Sequence, residues 1–201
     1  MNPEINRVLD YWFGPIENGT TLEKRNQLWF GGEPETDEYI RNHFEALVLQ
    51  AERGELNDWT DTPRGTLALI ILLDQFPLNM YRQSARAYDF EAKGLATCLH
   101  GLREEQHLAL SYIEKVFFYL PLEHSENADH QKQAVALYLE LKESAPDALQ
   151  EHAQLTLDFA IKHKDIIDRF GHFPHRNAVL GRPSTAEEIE FLQDPPNRFG
   201  Q

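Results

Sequence analysis

The sequence predicts an all-α fold, one domain of about eight or nine helices over residues 1–194, followed by a loosely ordered tail at 195–201. Three observations carry this expectation. Apolar residues recur at steps of three and four from Ile5 to Leu192. Helix-start signals stand at Thr62, Ser144 and Ser184. Strand-like alternation bounded by hairpin turns is scarce.

Ile5, Val8, Leu9 and Trp12 form one face of a first helix that Gly14-Pro15 stops. A second is expected over Leu22–Phe30, capped by Thr20 or Thr21 and ended by Gly31-Gly32. A third covers Thr36–Arg53, with Ile40, Phe44, Leu47 and Val48 as its stripe and Gly54 as its end. The fourth starts at Thr62-Pro63, a cap followed by proline at the first helical position. Its run Leu67–Leu73 is apolar all round and belongs at the centre of the core. A fifth is expected over Ala85–Leu102. A sixth runs from Glu105 to Tyr119, with Ala109, Tyr112, Val116 and Phe117 inward. The seventh follows His124-Ser125 and carries Ala134, Val135, Leu137, Tyr138 and Leu141. An eighth begins after Ser144-Ala145-Pro146 and shows the stripe Leu155, Phe159, His163, Ile166, Phe170. The last starts at Ser184-Thr185-Ala186-Glu187-Glu188, where Ser184 with Glu187 or Thr185 with Glu188 makes a capping box.

The chain's 201 residues suffice for a sizeable core. A net charge of -14 disfavours nucleic acid and anionic membranes as partners and gives solubility. A single cysteine, Cys98, excludes a disulfide framework and fits a reducing cytoplasm. No signal peptide is visible, and the longest apolar run is too short to span a bilayer. No cofactor motif is present: there is no G-x-G-x-x-G, Walker loop, H-E-x-x-H or G-x-S-x-G. No spacing matches a strong metal-ligand pattern.

One pattern points to function. Three times an apolar helical run ends at a proline, with a dense polar cluster following or overlapping the stop. Leu67–Leu73 leads into Asp74-Gln75-Phe76-Pro77-Leu78-Asn79, Val116–Leu120 into Pro121-Leu122-Glu123-His124-Ser125-Glu126, and Phe159–Phe170 into Gly171-His172-Phe173-Pro174-His175-Arg176-Asn177. Charged and amide groups at the ends of core helices are costly unless paired or facing a cavity. Asp74, His124, Glu126, His175 and Arg176 are therefore expected to meet. His124, Glu126 and His175 are the acid/base candidates. The arginines Arg64, Arg82, Arg169, Arg176 and Arg182 are candidates for holding an anion in a planar fork. Each feature also has a structural reading. Ser125 and Glu126 could simply cap a helix, the arginines could pair with Asp74, Glu126 and Asp168, and His163, among Phe159, Ile166 and Phe170, could be buried and neutral.

The segments Asp10-Tyr11-Trp12-Phe13-Gly14, Leu72-Leu73-Asp74-Gln75-Phe76-Pro77, Pro121–Glu126 and Phe173-Pro174-His175-Arg176-Asn177-Ala178-Val179-Leu180-Gly181-Arg182 resemble the signatures of an uncharacterised bacterial domain-of-unknown-function family with a tetratricopeptide-like (TPR-like) helical fold. The resemblance spans nearly the whole chain and implies helices in α–α pairs. It brings no activity, substrate or cofactor. It adds Gln75, Asn79, His163 and Asn177 to the ligand-binding candidates, selects Gln131 as well, and passes over His130. Leu78 and His172 stand where the family pattern usually has arginine, which would weaken any anion held there.

Three readings compete. The clusters form a pocket for a small anionic or polar molecule, with acid/base chemistry. Alternatively, the domain is a helical module for a protein partner, although no 34-residue repeat is visible. Finally, the clusters could be one structural network locking helix ends.

Overall fold

The computed structural model describes residues 2–198, and their architecture is all-α apart from one two-stranded ribbon. Helix α1 (Pro3–Phe13) starts at Asn2, whose side chain accepts from the Glu4 amide. It buries Ile5, Val8, Leu9, Trp12 and Phe13, as the spacing predicts. The expected second helix is shorter. Ile16–Glu17 (β1) and Thr20–Thr21 (β2) pair as an antiparallel ribbon, and α2 covers only Asn26–Phe30. Thr20 and Thr21 are β-branched and enter the ribbon rather than cap a helix.

Helix α3 (Pro34–Arg53) ends at Gly54, whose φ of 78° few other residues adopt without strain. Helix α4 (Pro63–Ile70) has Thr62 as its cap. It does not stop near Pro77. Ile71–Gln75 wind as a π-helical stretch, and α5 (Phe76–Met80) continues from it. The Phe76 amide donates to Ile71 O, five residues back, so the widened turn admits the Pro77 ring, which offers no N–H. This continuous rod is the centre of the core: Leu67, Ile70, Ile71 and Leu72 have no exposed surface.

The expected fifth helix divides. Ala85–Tyr88 is a 3-10 turn, and α6 covers Glu91–Arg103. The sixth begins later than expected. Gln106–Ala109 is a 3-10 turn with Ala109 exposed, and α7 runs Tyr112–Glu123 behind a Ser111–Glu114 capping box. Pro121 does not end α7, because side chains take the carbonyls around the break. Cys98 Sγ donates to Phe118 O, and Tyr138 Oη donates to Val116 O at 2.8 Å.

Helix α8 (Ala128–Glu143) is capped by Asn127, not Ser125, because the Asn127 side chain accepts from the Asp129 and His130 amides. Ser144 belongs to the end of α8, its hydroxyl donating to Glu140 O, and does not cap the next helix. Helix α9 (Gln150–Phe170) buries Ala153, Leu157, Ala160, His163, Ile166 and Ile167. The sequence stripe was one step out of phase at its start, since Leu155 and Phe159 are exposed. Small residues set the contact: Ala153 and Ala160 on α9 and Ala134 on α8 are sealed, which lets the two helices approach closely. Gly171, at φ 73°, ends α9 before the third proline, so Pro174 opens a 3-10 turn (Pro174–Arg176). Helix α10 (Ala186–Phe191) uses the Thr185–Glu188 capping box and not Ser184–Glu187. Of the expected tail 195–201, Pro195–Arg198 form a 3-10 turn tied by Asn197 Nδ2 to Phe191 O, and 199–201 lie outside the described residues. No helix among the described residues is long and apolar enough to cross a membrane.

Candidate functional site

The three polar clusters meet where the π-helical stretch, the end of α7 and the turn after α9 come together. Asp74 is almost wholly buried on the π-helical stretch. Its Oδ1 accepts from His124 Nδ1 at 3.0 Å and its Oδ2 from Gln75 Nε2 at 2.6 Å. His124 is the residue after α7, placed there because Gln131 on α8 holds the end of that helix. Gln131 Nε2 donates to Glu123 O and Ser125 O at 2.6 and 2.7 Å, supplying donors that a helix C-terminus lacks.

Arg176 joins the third cluster to the second. Its Nη2 donates to His124 O and its Nη1 to Glu91 Oε2, both at 3.0 Å. Its guanidinium carbon lies 4.7 Å from the ring centroids of both Tyr88 and Phe173, which fixes its plane. Glu126 is no helix-capping group. Both its oxygens accept from Arg182, at 2.8 and 2.9 Å, and Oε1 also takes the Phe173 amide at 2.8 Å. His163 Nδ1 lies 2.9 Å from Phe159 O and 3.0 Å from Glu123 Oε1, so that nitrogen carries a hydrogen. This corrects the expected apolar surroundings: His163 is buried, but beside a carboxylate. Its ring is 6.3 Å from that of His124 and 5.5 Å from Phe173.

The electrostatics separate the two candidate histidines. Burial opposes a charge on His124, but the Asp74 carboxylate outweighs it and the net shift is upward from 6.5. Burial, with Arg176 and neighbouring histidines adding to it, pushes His175 down to about 3. Burial raises Glu91 despite Arg176, whereas Arg182 and the Phe173 amide outweigh burial at Glu126 and hold it low. The Asp74 carboxylate and burial thus drive the proton affinities of the two imidazoles in opposite directions.

The other sequence candidates lie elsewhere. Arg64 pairs with Glu114 at the start of α7. Asn79 and Arg82 both bind Asp37 on α3, Arg82 with two nitrogens. Arg169 pairs with Glu187 and stacks on Phe170. Asn177 is sealed against Ser184 and Glu188, anchoring α10. Every arginine candidate is thus already matched to a carboxylate, and of the three carboxylates expected to pair with them only Glu126 does, with Arg182: Asp74 takes His124, and Asp168 takes Lys164. Sequence reasoning missed Tyr88, Glu91 and Glu123. Glu123 stood inside the second cluster, whereas Tyr88 and Glu91 fell within the expected fifth helix, outside all three clusters. An open cavity of about 510 Å³ lies apart from this junction, lined by Asp37, Arg41 and Arg82 among others. Among the described residues no group of three His, Cys, Asp or Glu could hold a metal ion.

A family model described as a bacterial protein of unknown function (DUF924) matches residues 8–196. A solved structure of a protein of unknown function from Agrobacterium tumefaciens is 31% identical, with a TM-score of 0.78 over 96% of this chain and 98% of that one. No curated protein matches the chain.

Proposed function

The chain belongs to this bacterial family of unknown function, and we propose that its polar junction binds a small anionic or polar molecule and can exchange a proton with it through His124. The observation that carries this reading is the 3.0 Å contact between Asp74 Oδ1 and His124 Nδ1, on a carboxylate sealed inside the core. A carboxylate at Nδ1 fixes the tautomer and ring orientation and leaves Nε2 as the working nitrogen. The His124 side chain keeps 17% of its surface exposed. Arg176, planar and pinned by two rings, supplies a positive fork beside it. Glu126 and Arg182 hold the turn that carries Phe173, His175 and Arg176.

The test is thermal melting of the wild type, His124→Ala and Arg176→Ala against a panel of anionic metabolites. A ligand should raise the wild-type Tm and lose that effect in both variants, while much of the fold survives. Severe destabilisation of both variants, with no ligand raising the wild-type Tm, would overturn the reading in favour of a purely structural network.

A further inference from the structure

The Arg176–Glu91 ion pair has an uneven construction. Arg176 is held from four sides: the Tyr88 and Phe173 rings, the His124 carbonyl and Glu91. Removing Glu91 would leave the other three constraints in place. Glu91 is held from one side. Its Oε2 accepts from Arg176, but its Oε1 is buried with no hydrogen-bond partner among the described residues. A carboxylate so poorly satisfied loses little on leaving. It can leave, because Glu91 is the first residue of α6 and its side chain keeps a quarter of its surface exposed.

We propose that Glu91 is a built-in placeholder, and that the ligand of this site is a carboxylate that displaces it from Arg176. This deepens the function proposed above and rests on that site. The exchange leaves the net charge of the junction as it was, because the carboxylate that enters beside Arg176 takes the place of the one that leaves. One carboxylate entering as another turns to water adds no uncompensated charge, whereas an added anion would. Tyr88, whose ring lies against Arg176, has a buried hydroxyl that also lacks a partner among the described residues. The upward pull of burial on Glu91 agrees with a carboxylate in a poor site.

Chemical rescue tests this, with acetate as the probe because it is the side-chain group removed. Glu91→Ala leaves Arg176 without its carboxylate and should melt lower than the wild type. Acetate should restore it, by about 3 °C at roughly ten times the dissociation constant. Chloride at equal ionic strength should not. Glu91→Gln, which fills the space, should show less rescue, and Glu91→Ala/Arg176→Ala none. Small carboxylates should bind Glu91→Ala at least tenfold tighter than wild type, the opposite of deleting an ordinary contact residue. Equal acetate effects in Glu91→Ala and the double variant, or weaker carboxylate binding in Glu91→Ala, would overturn the placeholder. If Glu91→Ala does not fold, the comparison runs on Glu91→Gln, which should bind carboxylates more tightly than wild type. Its failure to do so would overturn the proposal. Rescue by acetate together with unchanged ligand binding in His124→Ala would keep the placeholder and sink the His124 role. Carboxylate binding that needs His124 but is indifferent to Glu91 would do the reverse.

Discussion

Replacing Asp74 with Asn tests whether the buried carboxylate organises the junction. The side chain keeps its shape, but one of its oxygens becomes an amide donor. Asp74 accepts two hydrogen bonds, from His124 Nδ1 and Gln75 Nε2. Asn offers one acceptor, so one buried donor is left facing another. An unmatched buried donor costs about 1–3 kcal/mol, and turning a charge-assisted bond into a neutral one costs about 1 more. The expected loss is therefore roughly 2–4 kcal/mol in urea unfolding, or a Tm lower by about 5–15 °C for a chain of this size. The loss should depend on pH with a definite sign. The His124 pKa is raised in the fold, so its contribution is complete below the unfolded value near 6.5 and fades as pH rises through the folded value. The penalty of Asp74→Asn should shrink as pH rises above about 6.5 and through the raised folded value. A loss below about 1 kcal/mol, or a penalty that grows with pH, would refute the reasoning.

Three further outcomes follow from the geometry. His175, held neutral with a pKa of about 3, should make the protein less stable as pH falls below about 6.5, by up to about 1.4 kcal/mol per pH unit in urea titrations, and His175→Asn should remove that slope. Gln131→Glu should cost about 2–4 kcal/mol at neutral pH, because a carboxylate cannot donate to the carbonyls that close α7, and circular dichroism melts would show it. Gly101→Ala should cost about 1–3 kcal/mol, since a Cβ there would sit 2.6 Å from the Phe118 ring and 2.9 Å from the Thr66 methyl. An unchanged melting curve would mean that contact yields freely.

The helical class was legible because the apolar spacing of α1, α3 and α4 is unambiguous and Gly14, Gly54 and Thr62 are standard residues at helix ends. Prolines misled, because a proline ends a helix only where neither a widened turn nor tertiary packing accommodates its ring. The π-helical stretch before Pro77 and the side-chain bonds around Pro121 are tertiary solutions that no local signal announces. The phase of α9 misled because bulky Leu155 and Phe159 looked more like core than Ala153 and Ala160, whose value lies in being small. Convergence of Asp74, His124, Glu126 and Arg176 was legible, because polar groups at the ends of buried helices need partners. Which carboxylate meets which arginine was not, since that depends on how α6 and the turn after α9 approach one another. Glu91 therefore escaped notice, and so did the role of Gln131, one helix away from the carbonyls it serves.

The most direct measurement is a long-range nitrogen–proton correlation spectrum of the histidine-labelled protein, recorded with and without small carboxylates at pH 7. The His124 Nε2 resonance should move on titration, with Nδ1 remaining protonated against Asp74, while exposed His43 stays still. A His124 ring whose resonances do not respond to any ligand that the protein binds would contradict the claim that this junction is the site.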